Sequence, residues 1–240
     1  MMDFLPVRDV QLVWQHSPIV RAAAKTLRYL VDMGPIGLTA SKALKRSFVE
    51  WAAEVFEWPG YGVADLYASN KVLNEHHFPP LVVLHDLLLA TRLARHERGH
   101  LAITGFGRTC AHSPIHLWKL LAGELLFNTD HGRYTHEGLR FDGDWEMILE
   151  VLNVTVDAGA SERQICDALL HEAGEEAGAD SVVQLIIYMN VLRPLTWAGL
   201  LAEIGSTNAA FDVSIYVKTP LWMAALALPS DAELSVRALH

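Results

Sequence analysis

Two segments of this chain carry the same order of local signals. LAIT-GFGR (residues 101–108) and YVKT-PLWM (216–223) each run from a short strand pattern into a threonine and then a helix start, and each follows an apolar helix and a polar turn. A threonine in that place caps the next helix by accepting a backbone N–H, and a strand that short needs a neighbour to pair with. The order predicts short hairpins set among helices, twice over. Laying Ala90-Thr91-Arg92-Leu93-Ala94 over Ala198-Gly199-Leu200-Leu201-Ala202 aligns the ends of the preceding helices, and IGLT-ASKA (36–43) is a fainter third copy.

Proline placement supplies the helix starts. Ser17-Pro18, Ser113-Pro114 and Thr219-Pro220 each set a hydroxyl before a proline, whose missing N–H costs nothing in a first helical turn. The spacing of apolar residues predicts helices from Pro18 to a stop at Gly34, from about Ser41 to Trp58, from Pro79 to His96 and from Pro114 to Phe127. The third is apolar nearly all round, with a narrow polar stripe at His85, Arg92 and His96, so it is expected to be central and buried over residues 79–94. HLAI reads as a strand, with ARHERGHL as the turn of the hairpin. Turn formers crowd NTDHGRYTHEGLRFDGD, which places a boundary near residue 140, between a domain of residues 1–140 and one of 141–240. Beyond it WEMILEVLNVTVDAGA and a helix opened by the capping box Ser161-x-x-Gln164 precede SVVQLIIYMNVLRPL, the turn GSTNAAFD and the strand VSIYVK.

With 240 residues, just over half of them hydrophobic, a sizeable core can be buried. The apolar runs are interrupted by polar residues well before the ~20 residues of a membrane span, and the start of the chain has no secretory pattern, so a soluble, cytoplasmic protein is expected. Cys110 and Cys166 lie in no CxxC spacing and read as buried reduced thiols. The net charge of −9 divides unevenly: residues 1–110 hold 12 Lys+Arg against 10 Asp+Glu, and residues 111–240 hold 7 against 18. An anionic partner would have to meet the first part, and a basic protein the second.

IGLTASKALKRSF, the Pro-started apolar helix, GHLAITGFGR and the Trp-containing helix after it resemble a family of uncharacterised bacterial proteins related to plasmid-borne open-reading-frame products, with winged-helix-like segments. The resemblance covers most of residues 36–127 and, more faintly, 181–228. A glycine usual in that pattern is Lys42 here, and Trp222 stands in the second copy where the first has Gly107. The resemblance implies a mainly α fold of tandem winged-helix-like modules with short β-hairpins, or one continuous helical unit, and implies no reaction.

Chemical motifs point nowhere else. Thr104-Gly105-Phe106-Gly107 lacks the third glycine of a dinucleotide fingerprint, and no GxSxG or HExxH occurs. Nine of the twelve histidines lie between His76 and His136. His112 and His116 have a spacing that can put two imidazoles on one helix face, but Pro114 between them argues that they do not share a helix. Glu172, Glu175, Glu176 and Asp180 read as a solvated acidic face. Arg92, Arg95, Arg98, His100 and Arg108 remain, opposed locally only by Glu97, and guanidinium forks beside a wing suit phosphate oxygens. These five are the candidate nucleic-acid contacts of a non-enzymatic winged-helix-type binding or regulatory protein, with no metal and no cofactor expected. The alternatives are a protein-interaction module without DNA binding and a metal-dependent enzyme built on the His-rich region 76–136.

Overall fold

In the computed structural model, the structure describes residues 4–135, 138–141, 143–174, 181–205 and 214–237. It divides into two compact units, one of Asp9–Glu124 and the other of the described parts of Met1–Arg8 and Leu125–His240. The changeover between Glu124 and Leu125 precedes the expected boundary near 140, and the first residues of the chain go with the second unit. The fold is mainly α.

The first unit runs α1 (Val10–His16), α2 (Pro18–Asp32), β1 (Ile36–Gly37), α3 (Arg46–Val55), α4 (Val63–Ser69), α5 (Pro79–Ala90), β2 (Ala94–Glu97), β3 (His100–Ile103), α6 (Gly105–Cys110) and α7 (Pro114–Gly123). Pro18, Pro79 and Pro114 open helices as the sequence predicts, although neither Ser17 nor Ser113 uses its hydroxyl as a cap. α2 buries Ile19, Ala23, Leu27 and Leu30 along one face, and α3 lays Phe48 and Trp51 against Tyr29 with ring centroids 5.1 and 4.6 Å away. α1 went unread; Asp9 starts it by accepting the Gln11 N–H.

Two expected helices are shorter than their apolar patterns. α3 begins at Arg46 rather than Ser41, because Lys42 takes a left-handed backbone (φ 66°) in a turn closed by Thr39 N–H to the Ala43 carbonyl, 2.8 Å. Lys42 thus occupies a conformation that glycine adopts without strain. The faint third copy is therefore a strand and a tight turn, with Leu38 bridged to Leu44, and Thr39 caps no helix. α5 stops at Ala90 rather than reaching 94 or 96: the Thr91 hydroxyl donates to the Leu87 carbonyl, 2.6 Å, and Arg92 turns left-handed (φ 59°). Ala94 to Glu97 then form a strand. Within its true length α5 is buried as expected, at Leu81, Val83, Leu84, Leu87 and Leu88 among others, each contributing about 2 kcal/mol of hydrophobic stabilisation.

β1, β2 and β3 make an antiparallel sheet in the order β1-β3-β2, with Ile36 opposite Leu101, and Ala94 to Glu97 opposite Ile103 to His100. Only Arg98 and Gly99 remain in the turn, with φ of 48° and 76°. That is the two-residue geometry whose twist matches paired strands. The turn is accordingly much tighter than ARHERGHL.

The second unit contains α8 (Trp145–Thr155), β4 (Ala160–Ser161), α9 (Glu162–Glu172), α10 (Ser181–Ile187), a π turn over Tyr188–Leu192, α11 (Arg193–Ala198), β5 (Leu201–Ile204), β6 (Ile215–Lys218), α12 (Pro220–Ala225) and α13 (Asp231–Arg237). The capping box forms as read: Ser161 Oγ accepts the Gln164 N–H at 3.3 Å, and Gln164 Oε1 accepts the Ser161 N–H at 2.8 Å. The sheet order is β4-β6-β5, again antiparallel, so each unit inserts its third strand between the first and the second. Apart from Gly205, the turn GSTNAAFD lies outside the described residues.

The repeat is one of backbone geometry, with a register one residue away from the sequence overlay. The Thr104 N–H donates to the Leu93 carbonyl (3.1 Å) and its hydroxyl to the Arg92 carbonyl (2.8 Å); the Thr219 N–H donates to the Leu200 carbonyl (3.0 Å) and its hydroxyl to the Gly199 carbonyl (2.6 Å). Each hydroxyl also caps the next helix, accepting from Gly107 in the first unit and from Leu221 and Trp222 in the second. Arg92 therefore matches Gly199, both left-handed, and not Leu200. The first copy has an extra residue, Thr91, between helix end and left-handed turn.

Gly107 is where this closure is tightest, since a Cβ there would lie 2.0 Å from the Leu93 carbonyl oxygen, whereas a Cβ at Gly105 would meet nothing within 4 Å. Gly107→Ala is expected to lower stability by roughly 2–4 kcal/mol in chemical denaturation, and Gly105→Ala to change it by less than about 1 kcal/mol. Equal effects would mean that the hairpin does not rest on α6 in this way.

Candidate functional site

The β2–β3 hairpin brings together three of the five cationic residues read from the sequence. Strand alternation puts Arg95, Glu97, His100 and Ala102 on one face and Ala94, His96, Leu101 and Ile103 on the other. Arg95 is exposed and holds Glu97 with Nη2 at 2.9 Å, so part of its charge is met locally. Arg98 forms the tip, its carbonyl accepting the His100 Nδ1–H at 3.0 Å. Arg92 sits at the base, exposed, with its carbonyl engaged by Thr104. Arg108 is exposed on α6, the next element, and is not part of the hairpin.

Lys45 was not among the candidates. Gly37 pairs with His100, and a Cβ on Gly37 would lie 2.8 Å from Lys45 Cδ, so the lysine side chain runs across β1 beside the hairpin. A glycine inside a strand is the sequence sign of such a close approach.

A buried carboxylate anchors the opposite face. Glu75, in the 3-10 turn Glu75–His77, is 6% exposed and uses both oxygens: Oε2 accepts the Leu44 N–H at 2.7 Å and Oε1 lies 2.7 Å from His85 Nδ1 on α5. His85 Nε2 in turn lies 2.9 Å from His96 Nε2 on β2. An ionised Glu75 fixes the His85 proton on Nδ1 and leaves Nε2 with a lone pair, so the proton between the two rings is donated by His96. Partial desolvation of its ring, then His85 and Lys42, push the otherwise exposed His96 below the ordinary imidazole value, against the opposing pull of Glu75 and Asp86. A cavity of about 300 Å³ opens beside the pair, with Lys42, His76 and Asp86 in its wall. The sequence reading had His85 and His96 on one polar stripe; they do meet, but across a helix and a strand. Glu75 went unread.

The remaining candidates separate. His112 precedes α7 and His116 lies within it, so the two share no helix, and His131 is buried with Nε2–H donating to the Leu125 carbonyl at 2.7 Å. Burial, the largest influence, and Arg193 push His131 down to about 4. Among the described residues no three His, Cys, Asp or Glu side chains are grouped so as to hold a metal ion. Thr104-Gly105-Phe106-Gly107 opens a helix of six residues and packs its second glycine on a backbone carbonyl, the role of a close approach and not of a phosphate cradle. In the acidic run, Glu172 ends α9, and Glu175, Glu176 and Asp180 lie outside the described residues. Both cysteines are free and buried, with Cys166 pushed up to about 12 by burial and then by Glu162 and Asp167.

A family model described as the Y4jL N-terminal domain matches residues 15–116, and one described as the y4jL C-terminal domain matches residues 135–220. An uncharacterised protein, y4jL of Sinorhizobium fredii (strain NBRC 101917 / NGR234), is 35% identical over 178 residues, covering 74% of this chain and 81% of its own length. No solved structure matches the chain.

Replacing Glu75 by Ala would leave the Leu44 N–H and His85 Nδ1–H without their acceptor in a buried place. A loss of roughly 2–4 kcal/mol is expected in urea denaturation, with a smaller loss for Glu75→Gln, which can still accept one of the two bonds. A Glu75→Ala protein as stable as the parent would remove Glu75 as the anchor of this face.

Proposed function

We infer the function from one premise: the chain belongs to the Y4jL family, an uncharacterised bacterial family, and carries both of its domains in order. We propose that it is a non-enzymatic binding protein of two winged-helix-type modules, and that the first module meets a nucleic-acid backbone through its β2–β3 hairpin.

The observation that carries this reading is the element order. Helix, short strand, helices and hairpin recur in both units, with the third strand between the first and the second. In the first unit that hairpin ends in Arg98-Gly99 and carries Arg95 and His100 on its outward face, with Lys45 alongside. Guanidinium groups on a projecting turn match phosphate oxygens in charge and in donor geometry.

The same structure argues for backbone contact over base reading. α5, which precedes the hairpin, buries Leu81, Val83, Leu84, His85, Leu87 and Leu88, so it offers few donors or acceptors to a major groove. Contacts limited to phosphates give weak, salt-sensitive binding with little preference between sequences. Two free, buried cysteines support a reducing, cytoplasmic setting, and among the described residues no helix is long and apolar enough to cross a membrane.

Titration of short duplexes at low and moderate salt tests the proposal. The parent should bind several unrelated sequences alike, with affinity falling as salt rises. Replacing Arg95, Arg98 and Arg108 together by Ala should flatten the logarithmic salt slope by up to ~3 while leaving the thermal unfolding close to that of the parent. No binding by the parent at low salt, or an unchanged slope in the triple variant, would refute it.

A further inference from the structure

The contact between His85 on α5 and His96 on β2 depends on a proton. At 2.9 Å the two Nε2 atoms have room for a single hydrogen between them, one ring donating and the other offering its lone pair. We propose that this shared proton clips the β2–β3 hairpin to α5, and that acid opens the clip by placing a second proton between the rings.

Counting protons gives the direction. With both rings neutral, His85 carries its hydrogen on Nδ1 toward Glu75, and His96 donates from Nε2. Adding one proton makes His96 an imidazolium through its free Nδ1, and its Nε2–H still donates to His85, now with charge assistance. Adding another must place it on His85 Nε2. Two N–H groups then face each other at 2.9 Å, and the contact cannot persist. The closed pair holds at most one positive charge, whereas two separated imidazoles can each take up a proton. The open state therefore binds more protons in acid, and the stability of the clip is present at neutral pH and lost as the pH falls.

The surroundings set where the change occurs. Glu75 and Asp86 favour charge on the pair, Lys42 opposes it, and His76 lines the same cavity. The downward push on His96 comes first from partial desolvation of its ring and then from His85 and Lys42. Glu75 keeps its bond to the Leu44 N–H in either state, so the loop before α3 stays anchored while the hairpin is freed. His96 lies next to Arg95 on β2, so acid would also change how the hairpin displays its cations. That last consequence rests on the nucleic-acid reading; the clip itself does not.

Hydrogen exchange of the intact chain without nucleic acid tests the clip alone. Expressed as protection factors, the amides of β2 and β3 should lose roughly tenfold between about pH 7.5 and about pH 5, while those of α2 keep theirs. His96→Gln should abolish the pH dependence, because a carboxamide turns to present either a donor or an acceptor to His85. The parent also reports without a variant: ring-nitrogen shifts should show His85 Nε2 unprotonated at neutral pH and protonating together with the loss of protection. Constant protection in the parent, the same loss in His96→Gln, or a His85 Nε2 already protonated at neutral pH would each overturn the proposal.

Discussion

The carbonyls of Leu93 and Leu200 are the points on which both units close. Both leucines are fully buried, and each carbonyl receives the N–H of the threonine at the end of the third strand. An unpaired buried carbonyl is costly, so this bond holds the far end of the hairpin at the end of the preceding helix. The threonine hydroxyl adds a second bond to the left-handed residue before the leucine and accepts from the first turn of the next helix. One side chain thereby settles where a helix ends, where a hairpin returns and where the next helix begins. The edge of the third strand left open by this arrangement is taken by a two-residue strand in each unit.

What differs between the copies is what the hairpin is used for. In the first unit the outward face carries Arg95 and His100, with Arg98 at the tip. In the second, Lys218 at the end of β6 turns inward: its Nζ bonds the Asn153 carbonyl and side chain at 3.1 and 3.2 Å and Asp157 at 2.6 Å. Asn153 is fully buried and also receives the Trp222 Nε1–H while donating to Ser230 and Asp231. This network satisfies its polar groups with one another and ties α8, β6, α12 and the start of α13 together. The cation of the second hairpin base is spent on structure, and those of the first remain on the surface.

Much of this was legible because its causes are local. Pro18, Pro114 and Pro220, the Ser161–Gln164 box and Thr104 and Thr219 after their strands act within a few residues, and the helices begin where they say. The C-terminal end of α5 and the start of α3 were not legible, because they depend on Arg92 and Lys42 adopting left-handed backbones that the sequence would assign to glycine or asparagine. β2 was hidden for another reason: Arg-His-Glu after Ala94 is exposed and carries no apolar alternation, so the strand exists only through its pairing with β3. Arg95, Arg98 and His100 could be grouped because they share one short stretch. Glu75 could not, since its partners Leu44 and His85 lie 31 and 10 residues away.

The central claim is that both units depend on the same threonine closure. Thr104→Val and Thr219→Val keep the shape and remove the hydroxyl, and hydrogen exchange followed separately in residues 9–124 and 125–240 reads each unit. The account predicts that each substitution lowers protection in its own unit by the equivalent of roughly 1–3 kcal/mol and leaves the other unit unchanged. Full protection in both units of both variants would contradict it, as would a loss confined to one copy.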